Sequence, residues 1–175
     1  MTIQFMVLGA PRSATTWASN WLTTEKTLCL HDSLLTFSED ELDSIPCDRV
    51  LGLSCTALPL LTEFVNDHPA RKVILHRERR AIDASLVGIG LTPLSRRWDG
   101  VLEKIKGEHV DFMDVFEPTR AKAIYEFLTQ LPFDEARHEQ LSQMYVEPAF
   151  DRVHVKADRA LSFRRKVETA LRAVS

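Results

Sequence analysis

The chain has 175 residues, 45% of them hydrophobic and 27% charged, with a formal net charge of −3. That size and balance are ordinary for one soluble globular domain spanning residues 1–175, long enough to bury a real core. The small negative charge excludes a global basic field for nucleic acid or an anionic membrane, so any anion site has to be local.

The first element is IQFMVLG (3–9), a continuous apolar run closed by Gly9, which has the look of a buried parallel strand. The opening MTIQFMVLGA carries no basic leader, so it reads as a strand and not as a signal peptide. SATTWASNWLTTE (13–25) is expected to be helical, and TLCLH (27–31) is a second strand. Ser38 and Glu41 are spaced as a capping box for a short helix. RVLGLSC (49–55) reads as a third strand, ALPLLTEFVNDHP (57–69) as a helix and RKVILHR (71–77) as a fourth strand. RRAIDASLVG (79–88) and LSRRWDGVLEKIKG (94–107) are expected as helices, followed by a strand at HVDFMDVF (109–116). Helices are then expected at 118–131, 134–144 and 158–174.

Alternation of this kind predicts an α/β fold: three layers, α/β/α, around a central, mostly parallel sheet with right-handed crossovers. Ligands in such sheets bind beyond the carboxyl ends of the strands, and both Gly9–Trp17 and His76–Ser85 fall there. No apolar stretch approaches the roughly eighteen residues that a membrane helix needs. Cys29, Cys47 and Cys55 are odd in number and form no CxxC pair. They read as reduced thiols of a cytoplasmic protein, not as a disulfide framework or zinc site. No ligand cluster for a metal stands out.

The stretch VLGAPRSATTW (7–17) lies between the first strand and the first helix. Such a loop aims backbone N–H groups at one point, where the helix dipole adds positive potential. Gly9 is suited to positive φ and to close approach of a ligand. Thr15 and Thr16 offer hydroxyls, and Arg12 adds a planar fork suited to oxyanions. Against the P-loop pattern GxxxxGK[ST], Gly9 and Thr16 fit, but Ala14 stands for the second glycine and Thr15 for the lysine. A plain strand–helix turn without a ligand is the alternative reading.

APRSATTW resembles the 5′-phosphosulfate-binding loop of sulfotransferases, P-[KR]-S-G-T-T-[WL], through Pro11, Arg12, Ser13, Thr15, Thr16 and Trp17, with Ala14 as the departure. KVILHRERRAIDASL (72–86) is similar to that family's 3′-phosphate segment, R-[ND]-P-[RK]-D-x-x-x-S. Arg77 and Ser85 match its arginine and serine, and Arg80 its inner basic position; Glu78, Arg79 and Ala81 depart from it. The segment 110–137 is a looser likeness.

The resemblance implies a P-loop nucleotide-binding fold, 3′-phosphoadenosine 5′-phosphosulfate as donor without a metal, and transfer of its sulfuryl group to a hydroxyl or amine of an unidentified small-molecule or carbohydrate acceptor. It implies that Pro11, Arg12, Ser13, Ala14, Thr15 and Thr16 form the cradle, with Arg12 also stabilising developing charge, and that Arg77 and Ser85 hold the 3′-phosphate. Trp17 would stack on adenine or pack in the core. The family's late R-K-G segment has no counterpart; SFRRKVE (162–168) is a weak substitute that reads better as a solvated helix face, and LTPLSRRWDG (91–100) is either the best candidate lid or only a helix entry. For the general base, the segment LCLHDSLL offers His31 and Asp32, unless the two merely end a strand. A P-loop kinase or nucleotide hydrolase, and a non-catalytic nucleotide-binding relative, are the alternative functions.

Overall fold

A computed structural model of the protein describes residues 3–144. The helix expected at 158–174 and the basic segment 162–168 lie outside the described residues.

Five strands form one sheet: β1 (Phe5–Gly9), β2 (Thr27–His31), β3 (Val50–Cys55), β4 (Arg71–His76) and β5 (Glu108–Asp111). Their order is β2-β3-β1-β4-β5, and every pairing is parallel. The expected mostly parallel sheet is thus wholly parallel among the described residues. The helices are α1 (Thr15–Trp21), α2 (Glu39–Leu42), α3 (Thr62–Asp67), α4 (Arg79–Gly88), α5 (Pro118–Thr129) and α6 (Glu135–Ser142). Strands β2 and β3 lie on one side of β1, and β4 and β5 on the other, so the chain reverses its winding direction at β1. This reversal is a topological switch point, the place where an open parallel sheet has a crevice at its carboxyl edge.

β1 is buried along its whole length, which is why its sequence is apolar without alternation. Its side chains still divide by parity. Met6 and Leu8 join Leu51, Leu53, Ile74, Ile82 and Leu86 in one core layer. Phe5 and Val7 join Trp17, Trp21, Val73, Leu75 and Leu128 in the other. The two layers, one on each face of the sheet, give the three-layer α/β architecture.

Three expected elements differ. The helix expected over 57–69 is a 3-10 turn, Leu58–Leu60, followed by α3, because Leu61 leaves helical geometry (φ −101, ψ 55). The helix expected over 94–107 is reduced to two 3-10 turns, Arg96–Trp98 and Leu102–Lys104. Gly100 sits between them at φ 73, which no right-handed helix accommodates. The strand expected over 109–116 ends at Asp111, and Phe112–Val115 is a 3-10 turn whose start is capped by Asp111 accepting from Met113 N–H at 2.8 Å. No helix among the described residues is long and apolar enough to cross a membrane.

Phe5 and Gly52 are register partners on adjacent strands. A Cβ on Gly52 would stand 2.0 Å from Cε2 of the Phe5 ring, so the ring fills the space that glycine leaves. Gly52→Ala is therefore expected to cost roughly 1–3 kcal/mol by overpacking. Denaturant titration should show a lower midpoint at unchanged slope. Adding Phe5→Leu should cost less in the Gly52→Ala background than in the parent, since the two residues share one space.

Candidate functional site

Five residues, 10–14, join β1 to α1 at the switch point. Two of them that carry side chains are left-handed, Arg12 at φ 67 and Ala14 at φ 63. Left-handed residues in such a turn curl successive N–H groups toward one side, the geometry of an anion-binding nest. Ala14 is the residue that caps α1, and it makes no side-chain cap hydrogen bond. The sequence pattern places glycine there in sulfotransferase loops, and the observed φ gives the physical reason: the position needs the left-handed region that glycine enters freely. Gly9 departs from its expected role. It is not at positive φ. Its missing side chain instead admits Leu75 O and Ser13 Cβ, each 3.3 Å from where a Cβ would be.

The second motif reaches the same loop. β4 runs parallel beside β1 with Gly9 opposite Leu75, so Arg77 emerges next to the turn. Its Nη1 donates to the Arg12 carbonyl. Arg12 Nε donates to Ser85 Oγ of α4 at 2.8 Å. Arg12, Arg77 and Ser85, separated by up to 73 positions in the chain, are thus one hydrogen-bonded unit. The Arg77 guanidinium carbon lies 4.6 Å from the centroid of the Phe112 ring, which supports it from β5's end. Burial, and then the like charge of Arg12, push the Arg77 guanidinium below its ordinary value; it remains a cation, as arginine does in proteins. Its contacts among the described residues are a carbonyl and an aromatic face, with no carboxylate ion pair. Arg77 Nε and Ser13 Oγ are both buried with no hydrogen-bond partner among the described residues. Arg80, the other motif match, is exposed.

The first turn of α1 is fixed from the opposite side of the switch point. Ser54 Oγ of β3 donates to Thr15 O at 2.7 Å. Thr16 Oγ1 lies 3.1 Å from His31 Nε2. Asp32 follows at φ 43, and its Oδ1 accepts from Thr56 N–H at 2.9 Å and Thr56 Oγ1 at 3.1 Å. Asp32 Oδ2 stands 3.6 Å from His31 Nε2. The hydroxyl and the carboxylate therefore share one imidazole nitrogen. In a hydroxyl–histidine–carboxylate relay they would occupy opposite nitrogens, so His31 and Asp32 do not form a relay that activates Thr16. His31 stands against the first turn of α1, with Asp32 beside it.

Trp17 is core. It is 5% exposed, its ring centroid is 5.3 Å from Trp21 and 4.7 Å from Phe116, and its Nε1 donates to Leu141 O at 3.2 Å. The adenine-stacking role implied for it would require this packing to open. The segment 91–100 is tied to the start of α4: Asp83 Oδ1 accepts from Leu94 N–H at 2.8 Å, Arg79 Nη1 meets Asp99 at 2.6 Å, and Arg79 also donates to Leu94 O. Arg79, a departure from the sequence motif, is thus what ties segment 91–100 to α4.

Phe112 and Thr56 were not foreseen. Phe112 had a faint signal, an aromatic at the end of the strand next to Arg77's, whereas Thr56 had none. Among the described residues, no group of three or more His, Cys, Asp or Glu could hold a metal ion. No protein-family model matches the chain, and no curated protein matches it.

Ala14→Gly should relieve a left-handed cost of about 1–2 kcal/mol, offset by about 0.4–1 kcal/mol of added unfolded-chain freedom. The expected result is unchanged or slightly raised stability, by up to a few degrees in Tm. Ala14→Val, a β-branched residue in the same conformation, should lower it clearly. Thermal melts of the three proteins decide.

Proposed function

We propose that this chain is a sulfotransferase-like protein on a P-loop type fold, binding 3′-phosphoadenosine 5′-phosphosulfate and passing its sulfuryl group to a hydroxyl or amine acceptor. One observation carries the reading. Arg77, a half-buried cation with no carboxylate pair among the described residues, is hydrogen-bonded to the very loop that bears Arg12. A cation left without an anionic partner in a partly desolvated place is costly unless an anion joins it. Buried Ser13 Oγ and Arg77 Nε, both donors, have no hydrogen-bond partner among the described residues.

In this reading the nucleotide supplies the activated sulfuryl group. The loop N–H groups with Arg12, Ser13, Thr15 and Thr16 would hold the 5′-phosphosulfate, and Arg12 would offset charge developing on the leaving oxygen. α1 has only seven residues, so its dipole adds little and the loop and guanidinium groups dominate. Arg77 and Ser85 would hold the 3′-phosphate, with Ser85 Oγ also accepting from Arg12 Nε. Asp32 or His31 would take the acceptor's proton.

A specific observation favours a second reading, a nucleotide-binding relative without transfer. Asp32 already accepts two hydrogen bonds from Thr56, and His31 Nε2 is engaged with Thr16. A kinase has less support, because Thr15 stands where the P-loop lysine belongs.

The test is a titration with 3′-phosphoadenosine 5′-phosphate and with ATP, each with and without magnesium. At about 100 times its Kd the first should add roughly 2.7 kcal/mol of stability without magnesium, about 5–11 °C for a chain of this size. Equal shifts with ATP, or shifts only with magnesium, would favour the kinase. Arg77→Ala should weaken the 3′-phosphorylated nucleotide on the order of tenfold to a hundredfold, and leave adenosine 5′-phosphosulfate nearly unaffected. Equal weakening of both would make Arg77 structural.

For transfer, Asp32→Asn or His31→Ala should cost roughly 10²–10⁴ in rate at nearly constant nucleotide affinity. Sulfate transfer to an acceptor panel measures this. Full rates in both variants would remove the pair from the mechanism, and no transfer by the parent would leave the binding-only reading.

A further inference from the structure

His76 ends β4, and His109 lies in β5. His76 Nε2 and His109 Nδ1 are 2.7 Å apart. The ring centroids are 5.0 Å apart with a 30° interplanar angle, longer than the nitrogen separation by about two ring radii. The two nitrogens therefore meet head to head on the line joining the rings. That is the geometry of one shared proton. A chelated metal would need two lone pairs converging at an angle on a third point.

The proton's place can be assigned. His109 Nε2 is 2.8 Å from Ile105 O, and a carbonyl only accepts, so Nε2 carries a proton. In the neutral ring Nδ1 is then bare and accepts from His76 Nε2–H. A first added proton leaves one proton between His76 Nε2 and His109 Nδ1 whichever ring carries the charge, and the bond becomes charge-assisted. A second puts a proton on both facing nitrogens. Two cations then meet without an acceptor between them, and the bond is lost.

The surroundings work both ways. Burial and the neighbouring His109 charge push His76 below its ordinary value, whereas Glu103 and Asp111 pull it upward. Arg77, the next residue in the chain, sends its side chain to Arg12. β5 is a four-residue edge strand whose sheet neighbour is β4, and Phe112 directly follows it.

We propose that the His76–His109 pair is a pH-operated latch: gripping β5 near its start, it holds the strand, and with it Phe112 beneath Arg77, against β4, and a second proton opens it. The sign follows from linkage. The open state takes the second proton more readily than the closed one, so closure is favoured at higher pH and lost as pH falls below the ordinary histidine value of about 6.5. The effect on an anion held by Arg77 rests on the function proposed above; the latch itself does not.

The experiment follows the full chain by NMR from pH 7.5 to 5, reading both imidazoles and exchange of the β5 amides that donate to β4, corrected for intrinsic exchange. In the parent the pair should titrate in two steps, and protection in β5 should fall about tenfold per pH unit through the second step, the slope for one linked proton. His109→Gln, which cannot take that proton, should abolish the step. Protection that falls with the first step, or no loss down to pH 5, overturns the latch from the parent alone. The same loss in His109→Gln overturns it too. Titration with 3′-phosphoadenosine 5′-phosphate separates the two claims. Affinity that falls along with β5 protection supports coupling to Arg77, and constant affinity across an opening latch refutes it. A nucleotide that binds at no pH, with the latch still opening, refutes the proposed function and leaves the latch standing.

Discussion

The site depends on one constraint: β1 is hydrogen-bonded on both edges and packed on both faces. A strand held in this way has no freedom to slip, because a shift of one residue would exchange the Met6–Leu8 side with the Phe5–Val7 side. Gly9 is the last residue of that strand, and its opposition to Leu75 sets where the loop begins. The same register brings Arg77 out two residues beyond Leu75, beside the turn. The meeting of two distant motifs is therefore a product of strand pairing, and the Arg12 carbonyl only completes it.

Cations are held in two ways among the described residues. Arg79 spans Asp83 and Asp99, whereas buried Lys72 donates to the carbonyls of His68 and Ala70. Arg77 follows the second pattern, held by a carbonyl and a ring, which orient a cation while leaving its charge in place. The left-handed Arg12 and Ala14 add local backbone strain at the same point. Backbone strain in the turn, beside a cation that has no carboxylate pair among the described residues, is what a binding site looks like when the rest of the domain supplies its stability.

The strands were the most legible part. Buried parallel strands carry apolar runs that few other elements imitate, and β1, β3 and β4 announced themselves in that way. The helix expected over 94–107 failed because charged and apolar residues there mimic helical spacing, while Gly100 takes a backbone angle that spacing does not reveal. β5 was overextended because Phe112 and Val115 continue its apolar pattern, although the Asp111 side chain turns the backbone at Met113. In the site, the residues matched by motif came together: Arg12, Arg77 and Ser85, with His31 and Asp32 nearby. Of the partners chosen by tertiary geometry, Thr56 on Asp32 has no local signature and Phe112 on Arg77 only a faint one. Trp17 has the same side chain under both readings, and only the positions of Trp21, Phe116 and His138 distinguish them.

That aromatic arrangement has an optical consequence. Trp17 and Trp21 lie in the short helix that begins where the loop ends. His138 of α6 meets both edge-on, at 5.7 and 5.6 Å, and Phe133 and Tyr125 complete the group. A small rotation of α1 changes the surroundings of two indoles at once, and the same rotation presses on α6. The loop therefore carries its own fluorophores one turn away, on a lever whose far end is the second half of the described chain.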